Sequence, residues 1–492
     1  MKSTSQIKKV SSQLRENDRY LEENLGINIS YDIDFRELVI KDHTLHLYYL
    51  NGMCDSIIIQ DIIIALLALN NQRLGRENIT VVIENQLAHF QVEKKVNFDE
   101  IVDQLLSGLL VIFIDGQEFV YIIDTREYPG RSPEEPDTER VIRGARDGFT
   151  ENIIENTTLL RRRIRDERLR NEIVQVGERS KTDLCISYIQ DIADDNLIHV
   201  IKDKIGEINI DGIPMADKTV EEFIVKQKWN AFPLVRYTER PDTAAKHLLE
   251  GRILLFVDTS PSIIVVPTTY FDHLDHAEEY RQSPAVGSFI RLVRLFAVLA
   301  SIYLLPLWML FVLEPGLLPE SLSFIGPKEV GNVPIVFQII MADIGVEFLR
   351  MAAVHTPTPL ATAMGLIAAI LIGEIAVDVG LFTPEVILYV SISTIGSYVT
   401  PSYELSVANK LLKLFLLILT ALFSQLGFMI GLVLTVLYLV NIKALNTPYL
   451  YPFMPFNAKA LTNFLLRMPM PYAKVRPEIV HPRNKYNQPT KK

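Results

Sequence analysis

Two carboxylates inside an apolar stretch are the residues of this chain with the clearest chemical potential. Glu374 and Asp378 stand four positions apart in residues 360–381, a segment long enough to cross a bilayer. This spacing places both on one face of a helix. Carboxylates within a span are costly, so they usually face a water-filled path or a partner, and fixed negative charge there favours cations. The alternative is that both lie near the bilayer interface, where they only snorkel or pair.

Six small residues form a stripe along the same segment, on roughly the opposite helix face. They recur at spacings of three or four and are Thr362, Gly365, Ala369, Gly373, Ala376 and Gly380. A stripe of small residues lets neighbouring helices approach closely. We therefore predict that residues 360–381 form a pore-lining or helix-packing segment.

Motifs for enzymatic catalysis are missing from the sequence. GERSKT resembles a phosphate-binding loop, but Ser180 stands where the second glycine must be. HLDHAEE places His273, His276 and Glu279 at i, i+3 and i+6, which a helix could turn toward a metal, although a wet linker beside the membrane is the simpler interpretation. Nucleophile elbows, zincin motifs and glycine-rich dinucleotide loops are absent. We expect no enzyme activity, no cofactor and no metal.

The elements that position these residues begin near Pro284, where the chain changes from charged and globular to a block of apolar runs. The first run covers residues 289–313, has Arg291 and Arg294 at its start, and is followed by a mostly acidic loop at 314–333. Lys and Arg are in excess on the cytoplasmic side of membrane spans. The region before this run is therefore predicted to be cytosolic.

The next segment, residues 334–355, is apolar but carries Asp343, Glu347 and Arg350. Glu347 and Arg350 stand at i,i+3, so they can pair on one helix face. The segment is an interfacial helix, a re-entrant helix or a span packed inside a bundle. The sequence Pro-Thr-Pro that follows ends it.

Two further apolar runs complete the block. Residues 385–400 form a shorter span, after which PSYEL turns the chain. Residues 414–442 contain no charge over 29 positions. A straight helix of that length measures about 43 Å, more than the hydrocarbon core of roughly 30 Å. The run must tilt strongly or break, and Gln425, Gly427 and Gly431 mark the predicted break.

The end of the chain is basic. From Lys443 onward, nine Lys and Arg residues stand against one acid, Glu478, which predicts a cytoplasmic tail. With both termini cytoplasmic, the number of spans is even. Four spans fit if residues 334–355 do not cross, and six fit if they cross and the last apolar run is a hairpin. The sequence leaves both open.

Composition narrows the function class further. The 492 residues carry a formal net charge of −10, which argues against nucleic acid as a partner. The first thirty residues are polar and lack the apolar core of a secretory signal, so the large N-terminal region is expected to stay in the cytosol. In that reducing compartment Cys54 and Cys185 are expected to be buried thiols.

The soluble half contains a repeat. LLSGLLVIFIDGQEFVYIID and LLEGRILLFVDTSPSIIVVP align without a gap at an offset of 143 residues. Each predicts a strand, a tight turn at Asp115 or Asp258, and a second strand, preceded by a helix. The fold class is therefore α+β: a cytosolic N-terminal region of two related α/β subdomains, followed by an all-α multi-span membrane domain.

The predicted boundaries follow from these patterns. They are a polar N-terminal arm (1–25), the first α/β subdomain (26–125), a linker (126–140), the second α/β subdomain (141–284), the membrane domain with four to six helical spans (285–445) and a basic cytoplasmic tail (446–492). Within the second subdomain, residues 150–170 predict a polar helix. Its LLRRRIRDERLR sequence is either a solvated face with i,i+4 ion pairs or a contact with anionic lipid or a partner subunit.

Several stretches, taken in order, resemble one family along nearly the whole chain. They include VIRGARDGFTENI and VGERSKTDLCISYIQDIAD in the soluble half, and IGEIAV, PSYEL and TPYLYPFMPF in the apolar half. The chain resembles the GerA-type A subunits of bacterial spore germinant receptors. PSYEL supplies Pro401, Tyr403 and Glu404 as family-motif residues. GERSKT then belongs to a family stretch and is not a broken nucleotide site.

The resemblance implies a multi-pass protein of the spore inner membrane that forms a homo-oligomer and conducts monovalent cations during nutrient-triggered germination. It implies the lipid bilayer as surroundings and, as partners, either the germinant receptor B and C subunits or a small membrane subunit. Two alternatives stay open. Interrupted apolar segments favour a secondary transporter, and the soluble repeats favour a non-conducting scaffold for receptor assembly.

Overall fold

The structure is a computed structural model that describes most of the chain. The described residues are 9–27, 29–71, 79–87, 92–127, 139–328, 332–355, 365–367 and 373–488. They form two compact units. The α/β unit comprises Met1–Lys226, Val235–Pro267 and Met470–Lys492, and the helical unit comprises Gln227–Leu234 and Thr268–Pro469.

The first sheet of the α/β unit is antiparallel, with strand order β1-β2-β4-β5-β3. Its strands are β1 (Ile33–Ile40), β2 (His43–Leu50), β3 (Val92–Lys95), β4 (Leu110–Ile114) and β5 (Val120–Ile123). Its helices are α1 (Leu14–Leu25), α2 (Ser56–Ala68), α3 (Ile79–Gln86) and α4 (Phe98–Leu105). Side chains alternate across a strand, so β4 and β5 are buried on both faces, against α2 and α3 on one and α1 and α4 on the other.

The second sheet has the same antiparallel layout, with order β6-β7-β9-β10-β8. Its strands are β6 (Leu169–Val176), β7 (Thr182–Ile189), β8 (Arg236–Thr238), β9 (Ile253–Val257) and β10 (Ile263–Val266). Its helices are α5 (Ile153–Arg163), α6 (Asp195–Gly206), α7 (Ala216–Val225) and α8 (Pro241–Glu250). The identical strand order is what the repeat predicts. The turns correspond too, since Gly116 and Thr259 both have positive φ, of 82° and 70°.

The polar helix predicted for residues 150–170 is shorter, because α5 ends at Arg163 and β6 begins at Leu169. The solvated-face interpretation is wrong for two of its arginines. Arg161 is buried and donates from Nε to Asp32 Oδ2 at 3.0 Å, and buried Arg170 donates from Nη2 to the carbonyl of Asn24 at 2.9 Å. Losing one partner of a buried ion pair is strongly destabilising, so these contacts bind the first repeat to the second.

Residues 470–488 lie on the second repeat of the α/β unit. Arg476 donates from Nε to the carbonyl of Leu249 at 2.6 Å, and Arg483 donates from Nη1 to Asp195 Oδ1 at 2.9 Å. Val480 is buried. This part of the basic tail is therefore held by specific contacts and belongs to the same unit as the two sheets.

Both cysteines are free thiols, and the prediction that they are buried is confirmed for Cys185 but not for Cys54. Cys185 is fully buried in β7, and burial raises the pKa of its thiol. Cys54 is half-buried, and burial raises the pKa of its thiol as well. Neither thiol is therefore activated as a nucleophile.

The helical unit contains the apolar runs. Its elements are α9 (Ala277–Arg281), α10 (Pro284–Leu313), α11 (Ile335–His355), α12 (Ala376–Asp378), α13 (Pro384–Tyr398), α14 (Tyr403–Asn441), α15 (Ala458–Leu465) and the two short strands β11 (Lys443–Ala444) and β12 (Thr447–Pro448). Within the described residues, α10 and α14 are long and apolar enough to cross a membrane.

Helix α14 folds back on itself and forms a hairpin. Its backbone leaves the helical region at Ser424, with φ 46° and ψ −125°, next to the predicted break at Gln425. A Cβ on Gly427 would overlap the carbonyl of Leu419, and one on Gly431 would lie 2.8 Å from Leu416 Cδ2. In a straight helix Leu416 and Gly431 would be about 22 Å apart. Residues 403–423 and 425–441 are therefore two antiparallel arms.

Helices α10 and α13 also run antiparallel. Ser393 Oγ donates to the carbonyl of Ser301 at 3.1 Å, and the rings of Trp308 and Tyr389 stack with centroids 4.6 Å apart. The apolar core around Trp308 is built from α10, α11, α12, α13 and the first arm of α14. The run predicted at residues 385–400 thus forms a helix packed among the others.

Candidate functional site

A buried ion pair joins α11 to the first arm of α14. Lys413 Nζ lies 2.5 Å from Asp343 Oδ1, and their side chains are 2% and 1% exposed. The same Nζ lies 3.4 Å from Ser393 Oγ on α13, and that hydroxyl donates to the carbonyl of Ser301 on α10. One connected polar network therefore reaches four helices, and we call it the charge network.

A second ion pair extends the charge network by one helical turn. Arg350 donates from Nε to Glu347 Oε1 at 3.1 Å, which confirms the i,i+3 pair predicted from the sequence. Lys410 on α14 pairs with the other oxygen of Glu347. The guanidinium of Arg350 lies 5.0 Å from the centre of the Tyr403 ring, a cation–π contact.

The order of these contacts fixes the direction of the helices. Asp343 pairs with Lys413 on α14. Glu347, one turn later on α11, pairs with Lys410, one turn earlier on α14. The two helices are therefore antiparallel. At the start of α11, Gln338 Oε1 accepts from the backbone N–H of Thr383, just before α13, at 2.8 Å.

The charge network lies deep in the apolar part of α10. Ser301 is six residues beyond Leu295, where the charge-free run begins, and this corresponds to about 9 Å along the axis. Charges at such a depth are expensive unless they are paired and hydrogen-bonded. The partners on α14 explain how α11 carries Asp343, Glu347 and Arg350 and still packs in the core.

The two carboxylates singled out in the sequence lie elsewhere. Glu374 and Asp378 are both exposed, Asp378 at the last position of α12 and Glu374 in the turn before it. In the described part of the chain, neither forms an ion pair or a hydrogen bond with a side chain. Their environment therefore differs from that of Asp343 and Glu347.

The stripe of small residues is partly described. Thr362 and Ala369 lie outside the described residues. A Cβ on Gly365 or Gly373 would meet no described atom within 4 Å. These two glycines are therefore open on the surface of a single chain.

The other end of the stripe is packed. Ala376 is buried in the apolar core with Leu305 and Trp308. Gly380 has φ +73°, and a Cβ there would lie 2.9 Å from Asn332 Nδ2. Such a backbone conformation favours glycine. Gly380 therefore lies beside the segment that leads into α11.

The family-motif residues shape the start of α14. Ser402 caps the helix, since its hydroxyl accepts from the backbone N–H of Leu405 at 3.3 Å. Pro401 precedes this cap, and Tyr403, the first helical residue, provides the ring beneath Arg350. Glu404 is half-buried in the first turn. The motif thus positions the Tyr403 ring against Arg350, at one end of the charge network.

A separate charged cluster surrounds the start of α10. Glu279 is fully buried and pairs with Arg291, Nε to Oε2 at 2.7 Å, and with Arg294. Arg291 also donates from Nη1 to the carbonyl of Phe464 on α15 at 2.7 Å. The two arginines at the start of this run therefore join the segment before it to the segment after α14.

The three residues considered as metal ligands, His273, His276 and Glu279, have other partners in the structure. Glu279 binds the two arginines, His276 caps α9 by accepting from the N–H of Glu278, and His273 Nε2 lies 3.4 Å from Thr268 Oγ1. His273 lies in a separate 3₁₀ helix, Tyr270–Leu274, so one helix does not present all three. Among the described residues, groups of three metal-ligating side chains are not found.

Sequence reasoning identified Asp343, Glu347 and Arg350 as charged but missed their partners, Lys410 and Lys413. A signal was present, because these two lysines stand at i,i+3 directly before the charge-free run of α14. Carboxylates at i,i+4 on one apolar helix and lysines at i,i+3 on another are complementary on antiparallel helices. The pattern could have been matched before the structure was available.

A two-sheet α/β unit, joined to a helical unit with two helices able to cross a bilayer, is typical of membrane proteins with a large soluble region. The chain belongs to the Bacillus/Clostridium GerA spore germination protein family, whose sequence model matches residues 19–479.

Relatives within the family cover nearly the full chain. Stage V sporulation protein AF of Bacillus subtilis (strain 168) is 57% identical over 474 residues, 96% of each chain. Overall sequence similarity, including the short basic tail, favours this stage V sporulation AF branch of the family, and the identity agrees with it. Spore germination protein KA of the same organism is 27% identical and covers 94% of this chain and 86% of its own. A solved structure is also similar: the crystal structure of the N-terminal domain of the A subunit of the Bacillus megaterium spore germinant receptor GerK3. The match covers 53% of this chain and 97% of that chain, with 27% sequence identity and a TM-score of 0.41.

Proposed function

We propose that this chain is a subunit of an oligomeric ion channel in the spore inner membrane, which releases monovalent cations during nutrient-triggered germination. The observation that carries the proposal is a contrast between acids of the helical unit. Asp343, Glu347 and Glu279 are each neutralised by lysine or arginine. Glu374 and Asp378 are exposed and have no such partner among the described residues.

An unpaired carboxylate on an apolar helical surface needs water or a neighbouring chain. A ring of identical subunits supplies both, because it surrounds a water-filled axis with one copy of each carboxylate per subunit. Rings of fixed carboxylates lower the electrostatic barrier for cations and raise it for anions. We therefore assign Glu374 and Asp378 to the cation path.

The small-residue stripe supports close contact between subunits. Gly365 and Gly373 are open in the single chain, and small residues allow helices to approach closely. Thr362 and Ala369 belong to the same predicted stripe. In our proposal this face meets the neighbouring copy, and the face with the carboxylates meets the axis.

A six-span topology is part of the proposal. Residues 470–488 and both sheets belong to the same unit, which supports placing the two termini on one side of the membrane. The segments before α10 and after α14 are also adjacent, since Tyr270 donates its N–H to the carbonyl of Tyr449 at 2.8 Å. An even number of crossings follows.

The helical unit supports six crossings better than four. Its crossings would be α10, α11, the chain between His355 and Gly380, α13 and the two arms of α14. Arg350 near the end of α11 lies at Tyr403, whereas Gly380 lies beside Asn332 before the start of α11. The described residues on either side of this stretch, Arg350 and Gly380, therefore lie near opposite ends of α11.

Partners follow from family membership and remain part of the proposal. We expect a homo-oligomer that works either with germinant receptor B and C subunits or with a small membrane subunit. A secondary transporter was the alternative suggested by two interrupted apolar segments, the long run at Gln425 to Gly431 and the proline-broken segment near His355. The first interruption is a hairpin turn between two adjacent arms, which disfavours this alternative. The prolines of the second, Pro357 and Pro359, lie outside the described residues.

The test combines structure and flux. The detergent-purified full-length protein is imaged by cryo-electron microscopy, and the same preparation is reconstituted in vesicles loaded with potassium ions. We expect a closed symmetric ring with Glu374 and Asp378 facing the axis, and potassium release that follows the membrane potential. A monomer, or a ring without a central path, overturns the proposal in favour of a scaffold. Release that saturates and requires a second ion gradient indicates a transporter.

A further inference from the structure

We propose that Trp229 is a membrane anchor that inserts into the interface of the bilayer, among anionic lipid headgroups. Its side chain is fully exposed, although tryptophan is highly buried on average. It stands in the sequence Lys-Gln-Lys-Trp-Asn, where Lys226 and Lys228 precede it. Tryptophan is enriched at membrane interfaces, and lysines next to the membrane are attracted to anionic lipids.

The turn that carries Trp229 is rigid. Gln227 donates from Nε2 to the carbonyls of Asn230 and Phe232, at 2.7 and 2.9 Å. The N–H of Asn230 returns to the carbonyl of Gln227 at 3.1 Å. These bonds close a loop around Trp229 and fix its backbone, so little backbone conformational entropy remains to be lost on insertion.

The turn is fixed to the end of the second arm of α14. The hydroxyl of Tyr438 donates to Asn230 Oδ1 at 2.8 Å, and the rings of Tyr438 and Phe232 have centroids 6.0 Å apart. Tyr438 is three residues before Asn441, the last residue of α14. In the proposed topology this end of the arm meets the headgroup region, and it sets the depth of Trp229.

The same end of the helical unit exposes further apolar side chains. Phe453, Met454 and Phe456 are exposed in the segment after β12, and the ring of Phe453 stacks on that of Phe271 at 5.1 Å. A large exposed apolar patch on a protein surface marks an interaction with a partner or a membrane. A bilayer interface accommodates both these side chains and Trp229, which favours lipid over a protein partner as the occupant.

The inference rests on the proposed membrane topology but not on ion conduction. The chain contains two tryptophans, and Trp308 is buried against Tyr389. The Trp308→Phe variant therefore isolates the fluorescence of Trp229. This variant is reconstituted as the full chain in vesicles of phosphatidylcholine and phosphatidylglycerol, with bromine on acyl carbons 6 and 7 or on carbons 11 and 12. Resistance to alkaline extraction verifies insertion separately.

We expect bromines on carbons 6 and 7 to quench Trp229 more strongly than those on carbons 11 and 12, because tryptophan at the membrane–water interface lies closer to them. The shallower bromines should reduce its emission by about half. At equal mole fraction, brominated phosphatidylglycerol should quench more than brominated phosphatidylcholine. This difference should vanish in the variant that also carries Lys226→Gln and Lys228→Gln. The Trp229→Phe variant reports Trp308 as the control.

Two outcomes overturn the anchor in a protein that resists extraction. Quenching by aqueous acrylamide without quenching by brominated lipid shows that Trp229 faces water. Protection from both quenchers shows that another protein surface covers it. A protein that is extracted by alkali contradicts the membrane topology itself, so failure of the topology is distinguishable from failure of the anchor.

Discussion

Lys413 Nζ lies 2.5 Å from Asp343 Oδ1, and both side chains are almost completely excluded from the surface. The pair links α11, an apolar helix that carries three charged residues, to the first arm of the α14 hairpin. Through Ser393 the network also reaches α13 and α10. One polar network thus connects four helices, and the loss of its buried ion pair should destabilise the helical unit.

We predict that Asp343→Asn destabilises the protein by about 3–5 kcal/mol, because it leaves the Lys413 ammonium buried without a countercharge. The double variant Asp343→Leu with Lys413→Met should recover most of that loss, since apolar residues of similar size avoid the desolvation cost altogether. Thermal unfolding of the detergent-purified full-length protein, followed by size-exclusion chromatography with fluorescence detection, measures both.

The matched control is Glu320→Gln, which changes an exposed carboxylate in the loop after α10. It should leave the unfolding temperature unchanged. If Asp343→Asn is as stable as the unmodified protein, the pair is not the constraint we describe. A double variant that is less stable than the single one would show that the charges themselves, and not their balance, are required.

A second prediction concerns the α14 hairpin. Gly427→Ala should destabilise the helical unit, because the new methyl group would overlap the carbonyl of Leu419 and lie 3.0 Å from Phe423 Cβ. Gly345→Ala on α11 is the control, since a Cβ there meets no described atom within 4 Å. The control should be neutral or stabilising by up to about 1 kcal/mol, the difference in helix propensity. Equal unfolding temperatures for both variants would contradict the close approach of the two arms.

A third prediction tests the side of the membrane on which the hairpin turn lies. In a chain with Cys54→Ala and Cys185→Ala, Ser424→Cys should react with a membrane-impermeant maleimide only from the outer side. Lys443→Cys, two residues beyond α14, should react only from the side that carries the α/β unit. Labelling of both cysteines from the same side would show that the arms do not cross, and would exclude the six-span topology.

A fourth prediction concerns acid stability of the α/β unit. His247 on α8 is fully buried, and burial lowers the pKa of its imidazole from 6.5 to about 4. Below pH 6.5 the His247 imidazole therefore binds a proton in the unfolded chain but not in the folded chain. The free energy of unfolding decreases as the pH falls from 6.5 toward 4. Between pH 6.5 and 5 the loss attributable to His247 should be about 1.5 kcal/mol, because the full slope of 1.36 kcal/mol for each pH unit is reached only below the pKa of the unfolded chain.

The His247→Gln variant keeps a polar side chain beside Glu250 but cannot titrate. Its unfolding temperature should therefore fall less between pH 6.5 and 5 than that of the unmodified protein. Parallel pH profiles for the unmodified protein and His247→Gln would contradict a neutral buried imidazole.

His46 provides a contrast, because it lies 2.9 Å from Asp18 and 3.3 Å from Glu37. Burial lowers the pKa of His46, but the two carboxylates outweigh it and the net pKa is raised. The stability from His46 is therefore present below pH 6.5 and is lost as the pH rises through the raised value.

The sequence predicted features that depend on local spacing. The offset of 143 residues between the repeats anticipated two sheets with the same strand order, because turn residues and β-branched runs specify hairpins locally. The excess length of the last apolar run required a tilt or a break, and the structure breaks it at Ser424, next to Gln425. In both cases the decisive information lies within a few neighbouring residues.

Contacts between segments that are distant in sequence could not be predicted from the sequence alone. Arg161 stood in a charged run that looked solvated, and only the fold brings Asp32 to it across 129 positions. Asp343 and Lys413 are 70 positions apart, and helical spacing reveals which face of a helix is charged but not which helix lies opposite. The carboxylates of residues 360–381 pose the same problem, since the water-filled axis that they face in the proposed ring exists only when several copies of the chain assemble.

The last prediction concerns Glu374, the carboxylate assigned to the cation path. Glu374→Gln keeps the size of the side chain and removes its charge, so it should slow potassium release from vesicles several-fold without preventing membrane insertion, because fixed carboxylates lower the barrier for cations. Asp378→Asn, one turn further along the same face, should act in the same direction, and the two changes together should reduce the preference for cations over anions. Glu320→Gln again serves as the matched control, since it removes an exposed carboxylate that the proposal does not assign to the path. Insertion is verified by extraction with alkali, and ion release by a potassium electrode and by reversal potentials in planar bilayers. Normal release and normal selectivity in the double variant would remove Glu374 and Asp378 from the path while leaving the oligomeric ring to be judged by imaging.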